Sequence, residues 1–170
     1  MHVSARADYA IRALVELAAG NTRPLTRGHL ATSQHIPLKF LSNILLQLKT
    51  AGLVSTHLGS EGGYGLARPA EHITLADVIR AVDGPLANVR GEPPETVTYA
   101  GTAEPLREVW IAVRASLRSV LEHVTLADVA HNELPSVVKA LAADPLAWQP
   151  YARERSYPAK ISSGSSADTT

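Results

Sequence analysis

Cysteine is absent from the 170 residues. Its absence excludes disulfides, thiolate-bound zinc and any iron–sulfur cluster held by cysteines alone. Metal chemistry would fall to histidine and carboxylate, yet the seven histidines (His2, His29, His35, His57, His72, His123 and His131) show neither an HExxH pattern nor a paired metal-ligand spacing. His123 and His131 lie eight apart, across an expected helix break. No metal site and no cofactor are expected. The glycine-rich stretch 59–65 lacks the GxxxxGK[ST] pattern of a nucleotide loop and is not followed by a helix. A nucleophile elbow and paired catalytic carboxylates are missing too, so an enzyme is not expected.

Charge of one sign is not in excess, because 16 Lys and Arg balance 16 Asp and Glu. This argues against a polycation that coats nucleic acid or an anionic membrane. Long apolar runs are lacking, and Met1-His2-Val3-Ser4-Ala5-Arg6 has no apolar signal region. A soluble cytoplasmic protein with no membrane partner is the expectation.

What the chain does contain is unevenly distributed. Residues 1–70 carry seven Lys or Arg against three acids, a balance of +4, and residues 71–170 carry −4. A basic N-terminal part on a neutral chain suits a module that meets phosphate. The length allows one substantial domain and an accessory segment.

Hydrophobic spacing predicts a first helix over 5–19, with Ile11, Leu14, Val15 and Ala18 as its stripe, Ser4 as cap and Gly20-Asn21 as stop. Thr26 caps a short second helix over 26–33. Pro37 opens a third over 37–50, whose stripe is Leu41, Ile44, Leu45 and Leu48. The opposite face of that helix, Lys39, Ser42, Asn43, Gln47 and Lys49, is polar and free of acid. Residues 53–67 then read as strand, glycine-rich turn, strand. A hairpin directly behind a helix-turn-helix is the wing arrangement, so the fold class is mainly α with a small β-hairpin wing.

Thr74 and Asp77 form a capping-box pattern ahead of a helix over 75–82, ended by Gly84-Pro85. Residues 85–104 read as loop. Beyond it, Leu106, Trp110, Val113, Leu117, Val120 and Val124 follow one another at spacings of four and three, the seam of a long helix over about 104–123, widened by Val109 and Leu121. Such a seam covers either its own domain or a second copy, and periodicity leaves both open. Thr125-Leu126-Ala127-Asp128-Val129 repeats Thr74-Leu75-Ala76-Asp77-Val78 letter for letter, which reads as two similar helix starts. A weak helix is expected over 135–143 and disorder over roughly the last twenty residues.

A helix that enters the major groove presents its N-terminal side chains to base edges. Asn43 suits adenine, Lys39 guanine or phosphate, Ser42 either partner, and Gln47 a flanking base or phosphate. Thr26, Phe40 and the wing residues Gly62, Gly63 and Tyr64 complete the DNA-contacting candidates.

Over residues 1–131 the chain resembles the Rrf2 family of winged-helix regulators, which includes IscR, NsrR and CymR types. The resemblance is carried by VSARADYAIRAL at 3–14, IPLKFL at 36–41, LKTAGLV at 48–54, GGYGLARP at 62–69, ITLADVI at 73–79 with GPL at 84–86, and LREVW at 106–110 with TLADV at 125–129. It implies a winged-helix DNA-binding domain over 1–84, a loop over 85–104 where relatives carry their sensor, a dimerisation helix and short following helix over 105–131, and an extension over 132–170. It further implies a homodimer on a pseudo-palindromic operator in double-stranded DNA, acting as a repressor. The dimer interface would then be Leu106, Trp110, Val113, Leu117, Val120 and Val124.

The chain departs from the family in two places. Several relatives hold a cluster through cysteines in the sensor region, whereas here Asp8, at a position where some relatives place a carboxylate ligand, stands alone and reads as a helix-start charge. That leaves a small-molecule effector, a protein effector or no signal, with Tyr99 and Trp110 as pocket or packing residues. Relatives also carry an arginine before the wing tip, where this chain has Leu58-Gly59-Ser60-Glu61. The rival reading is a winged-helix protein with weakened DNA binding that works through a protein partner.

Overall fold

The computed structural model describes residues 3–19, 23–59 and 62–149. The helix stop at Gly20-Asn21, the tip residue Glu61 and the disorder expected over roughly the last twenty residues lie outside these residues.

The chain opens with α1 (Ala5–Ala18), α2 (Arg27–Ser33) and α3 (Leu38–Thr50). Ser4 caps α1, its hydroxyl accepting from the Ala7 N–H at 3.0 Å, and Thr26 caps α2 by accepting from the His29 N–H at 3.1 Å. The buried face of α1 is Ala7, Ala10, Ala13, Leu14 and Leu17. The stripe expected there is thus turned round the helix, leaving Ile11, Val15 and Ala18 half-buried. Three alanines at full burial let the neighbouring helices approach α1 closely. Patterning by bulk does not register that kind of face. The stripe of α3 is as expected: Leu41, Ile44, Leu45 and Leu48 are all buried.

The wing follows at once. Strands β1 (Val54–His57) and β2 (Gly63–Leu66) pair antiparallel, with Val54 opposite Leu66 and His57 opposite Gly63. Leu25 adds a third backbone to this ribbon, exchanging hydrogen bonds with Tyr64 at 2.9 and 2.8 Å. This tight approach explains the glycines: a Cβ on Gly63 would lie 2.6 Å from the Leu25 carbonyl oxygen, and one on Gly62 2.8 Å from the carbonyls of Gly59 and His57.

α4 (Leu75–Asp83) and α6 (Leu126–Ala130) both begin with a full capping box, Thr74 with Asp77 and Thr125 with Asp128. The two repeated segments meet. Leu75 N–H donates to the Val124 carbonyl and Leu126 N–H to the Ile73 carbonyl, each at 2.9 Å, so the two helix starts are stitched antiparallel. Asp83 at the end of α4 accepts from both Arg6 nitrogens, at 3.0 and 2.9 Å, and from the Ser4 hydroxyl, tying α4 to the start of α1.

Between these segments runs α5 (Leu106–Leu121), shorter at both ends than the 104–123 expected. None of its residues is fully buried. The seam therefore stops at Val120: Val124 lies beyond the helix end, 3% exposed, where its side chain is already used inside the chain. That corrects its place in the expected interface. The loop before α5 contains a small bridge between Val89 and Glu92 and a one-turn helix over Gly101–Ala103. The extension carries α7 (Ser136–Ala142) and a final turn over Pro145–Trp148. Among the described residues no helix is long and apolar enough to cross a membrane.

The Gly63→Ala variant should lose about 1–3 kcal/mol of stability, because its methyl must displace backbone rather than a side chain. Urea unfolding followed by circular dichroism measures this, with Gly28→Ala, whose nearest neighbour is 3.9 Å away, as the tolerated control.

Candidate nucleic-acid interface

Burial of Leu41, Ile44, Leu45 and Leu48 turns the opposite side of α3 outward. At 100° per residue the centre of that side is Lys39, Asn43, Leu46 and Thr50, all exposed. Neither α2 nor α3 contains an acidic residue. Their cations are Arg27, Lys39 and Lys49, a face suited to phosphate. Pro37 gives α3 no side-chain cap.

The expected DNA-contacting residues divide into two groups. Lys39 and Asn43 project freely. Ser42 is engaged: its hydroxyl donates to the Leu38 carbonyl and accepts from Arg27, both at 3.0 Å. Gln47 is half-buried, and its Oε1 is sealed from solvent with no partner among the described residues. Phe40 is 60% exposed but sits at the edge of the face, tilted against Tyr9 with ring centroids 6.5 Å apart. The Arg12 guanidinium lies 5.3 Å from the centre of the same Tyr9 ring. Thr26 is exposed while it caps α2, so its hydroxyl proton remains free to donate.

On the wing, Gly62, Gly63 and Tyr64 are half-buried, and close backbone approach accounts for the two glycines. Tyr64 joins the ribbon to Leu25 and packs against the core. Among the described wing residues Leu58, just past the end of β1, is 99% exposed. Sequence reasoning missed Arg27 and Leu46. Arg27 is marked by its place just after the Thr26 cap, and Leu46 by its spacing of three from Asn43 and seven from Lys39.

α5 presents a different surface. Leu106, Val109 and Val113 are 40–49% exposed on one side, with Trp110, Leu117 and Val120 half-buried beside them. The loop before α5 is held to it by the Trp110 indole N–H donating to the Tyr99 hydroxyl at 2.9 Å, and by an Arg114–Glu95 pair. Arg90 lies 5.8 Å over the Tyr99 ring. Trp110 lines a cavity of about 200 Å³ with Leu86, Val89, Pro94, Val113 and Leu117, and Tyr99 is outside it.

A family profile described as "Rrf2: Iron-dependent Transcriptional regulator" matches residues 3–132. The chain belongs to the Rrf2 family. Two Mycobacterium tuberculosis proteins, from strains CDC 1551 and H37Rv and named as HTH-type transcriptional regulators, are each 50% identical to it over 145 residues, 85% of this chain and 90% of theirs. The regulator CymR of Bacillus subtilis is 30% identical over 131 residues, 76% of this chain and 90% of that one. Among solved structures, B. subtilis CymR, described as its global cysteine regulator, superposes with a TM-score of 0.66 at 29% identity, covering 78% of this chain and 98% of that one. T. potens IscR does so with a TM-score of 0.64 at 28% identity, covering 78% and 88%. Its relatives are winged-helix transcriptional regulators, and the family is not one of enzymes.

The family's iron dependence can be set against the donors present. There is no thiolate anywhere in the sequence. Among the described residues no three His, Asp or Glu side chains stand close enough to hold a metal ion. Asp8 pairs with Arg12 at 3.0 Å, one helical turn along. Where a cluster would need donors, the loop offers an aromatic hydrogen bond and an ion pair. These residues do not fit a cysteine-held cluster.

The junction of α5 with α4 gives a pH-dependent prediction. Hydrogen bonds from Arg80 and then Arg118 hold the Glu122 carboxyl below its ordinary value of 4.5. A depressed carboxylate stabilises the fold above that value and loses its contribution as pH falls through the lower folded one. In thermal unfolding, Glu122→Gln should melt below the parent protein at pH 7, and the gap should close as pH drops below 4.5.

Proposed function

We propose that this protein is a sequence-specific repressor of transcription that binds a pseudo-palindromic operator as a homodimer and does not sense through an iron–sulfur cluster. The observation that carries the reading is the outward face of α3. It offers a free cation at Lys39, a free amide at Asn43 and no acid, next to a projecting wing. An Asn amide can pair with adenine through two hydrogen bonds, and a lysine meets guanine or phosphate.

Support for the dimer comes from α5. Apolar side chains left 40–49% exposed on one helix face are poorly placed for a monomer in water, and a second copy of the same seam would cover them. Two chains related by a twofold axis would present two copies of α3 to half-sites about one helical turn, or a multiple, apart. Support for cluster-free action comes from the donor set, and in its place a small-molecule or protein effector could act on the Trp110–Tyr99 loop.

One observation favours the rival reading, in which a protein partner takes the place of DNA. Leu58, 99% exposed just past β1, brings no charge to phosphate. One experiment separates the two readings. Purified protein is used to select duplexes from a random pool, and gel shifts on the selected sequence then follow at several stated salt concentrations, with and without oxygen. The repressor reading predicts an enriched two-fold-symmetric sequence bound by two chains, with equal affinity in both atmospheres. Asn43→Ala should lose about 1–3 kcal/mol at one base pair of each half-site. Lys39→Ala should weaken all sequences alike if it meets phosphate, reducing the salt slope by about one per contact. Failure to enrich any sequence would favour the partner.

A further inference from the structure

We infer that Leu46 is a base-reading residue whose side chain meets the C5 methyl group of a thymine in the major groove. The inference rests on the DNA-binding reading and gives α3 a third contact, of a chemistry unlike the other two.

The argument starts from where Leu46 lies. It follows Lys39 by seven residues and Asn43 by three, at the centre of the side of α3 opposite Leu41, Ile44, Leu45 and Leu48. It is 62% exposed. The other exposed apolar groups of the helix have different positions: Leu38 is in the first turn, and Phe40 leans on Tyr9. Leu46 instead lies among polar residues of the outward face, between Asn43 and Thr50.

The polar groups around it are largely committed. Ser42 is held by Arg27 and the Leu38 carbonyl, and the Thr50 hydroxyl donates back to the carbonyl of Leu46 itself at 3.0 Å. What the centre of the face offers is therefore the Lys39 cation, the Asn43 amide and one branched apolar group, with Lys49 at its side. Major-groove edges carry hydrogen-bonding groups at every base, and the one apolar group among them is the thymine methyl. Three residues of helix advance about 4.5 Å, little more than one base-pair step of about 3.4 Å. A thymine read by Leu46 thus falls within two base pairs of the position met by Asn43.

A second copy or another protein is a poorer occupant for this face. Cores of protein interfaces are depleted in lysine, whereas Lys39 and Lys49 flank Leu46 with no acid on the helix to offset them. Phosphates lining a major groove supply that counter-charge.

The test uses the duplex selected by the full-length protein, remade with each thymine in turn replaced by deoxyuracil, which differs only by the missing methyl. Affinities are measured for the parent protein and for Leu46→Ala. Alanine is a good helix former at this exposed position, and circular dichroism and sedimentation confirm that fold and association are unchanged. The expected result is one thymine per half-site where loss of the methyl weakens the parent protein about fourfold and Leu46→Ala not at all. The inference is overturned, with DNA binding intact, if Leu46→Ala keeps the full methyl sensitivity or if no half-site thymine is methyl-sensitive. It is overturned as well if Leu46→Ala changes the association state. If the parent protein enriches no duplex, the DNA reading falls first and the inference with it.

Discussion

Burial of four side chains on α3, Leu41, Ile44, Leu45 and Leu48, against α1 and the neighbouring elements sets the rotation of that helix, and the rest of the interface depends on it. Each buried leucine or isoleucine contributes about 1.5–3 kcal/mol relative to exposure, so turning α3 to hide another face would be costly. With this stripe inside, Lys39, Asn43 and Leu46 have only solvent to face. Ala7, Ala10 and Ala13 of α1 are buried in the same core as that stripe.

The same core also fixes the far end of α5. The repeated Thr-Leu-Ala-Asp-Val segments cap their own helices and then pair with each other across Ile73 and Val124, so the start of α4 and the start of α6 form one joint. Val124 and Leu126 are buried there, and Arg80 reaches Glu122 just before it. α5 is thus anchored at its C-terminal end, while its apolar face is left for a partner of its own kind in the proposed dimer. The loop that carries Tyr99, Glu95 and Arg90 leans on the same helix.

Much of this was legible in the sequence because it rests on local rules. Ser4, Thr26, Thr74 and Thr125 are caps by residue type and spacing, and each accepts the expected backbone bond. The hairpin is announced by its glycines and its place after α3. What was not legible depends on contacts between distant segments. The buried face of α1 consists largely of alanines, which hydropathy undervalues. Gly63 resembled a DNA-facing wing residue, yet its lack of a side chain answers to the Leu25 backbone. Val124 continued a regular spacing past the point where the helix had ended. Ser42 and Gln47 have the chemistry to read DNA but are engaged or turned inward. Leu46 gives no recognition signal in the sequence because leucine carries no hydrogen-bonding group.

The central claim is that this side of α3 lies in the major groove of DNA, and the absence of cysteine allows it to be tested directly. Thr50→Cys places a unique thiol on the outward side of α3, to which a DNA-cleaving chelate can be attached. On the selected duplex the account predicts two narrow clusters of cuts, symmetric about the centre of the sequence, while the same chelate on Ser136→Cys, in α7, cuts weakly and elsewhere. Diffuse cleavage from Thr50→Cys, no stronger than from Ser136→Cys, would contradict it.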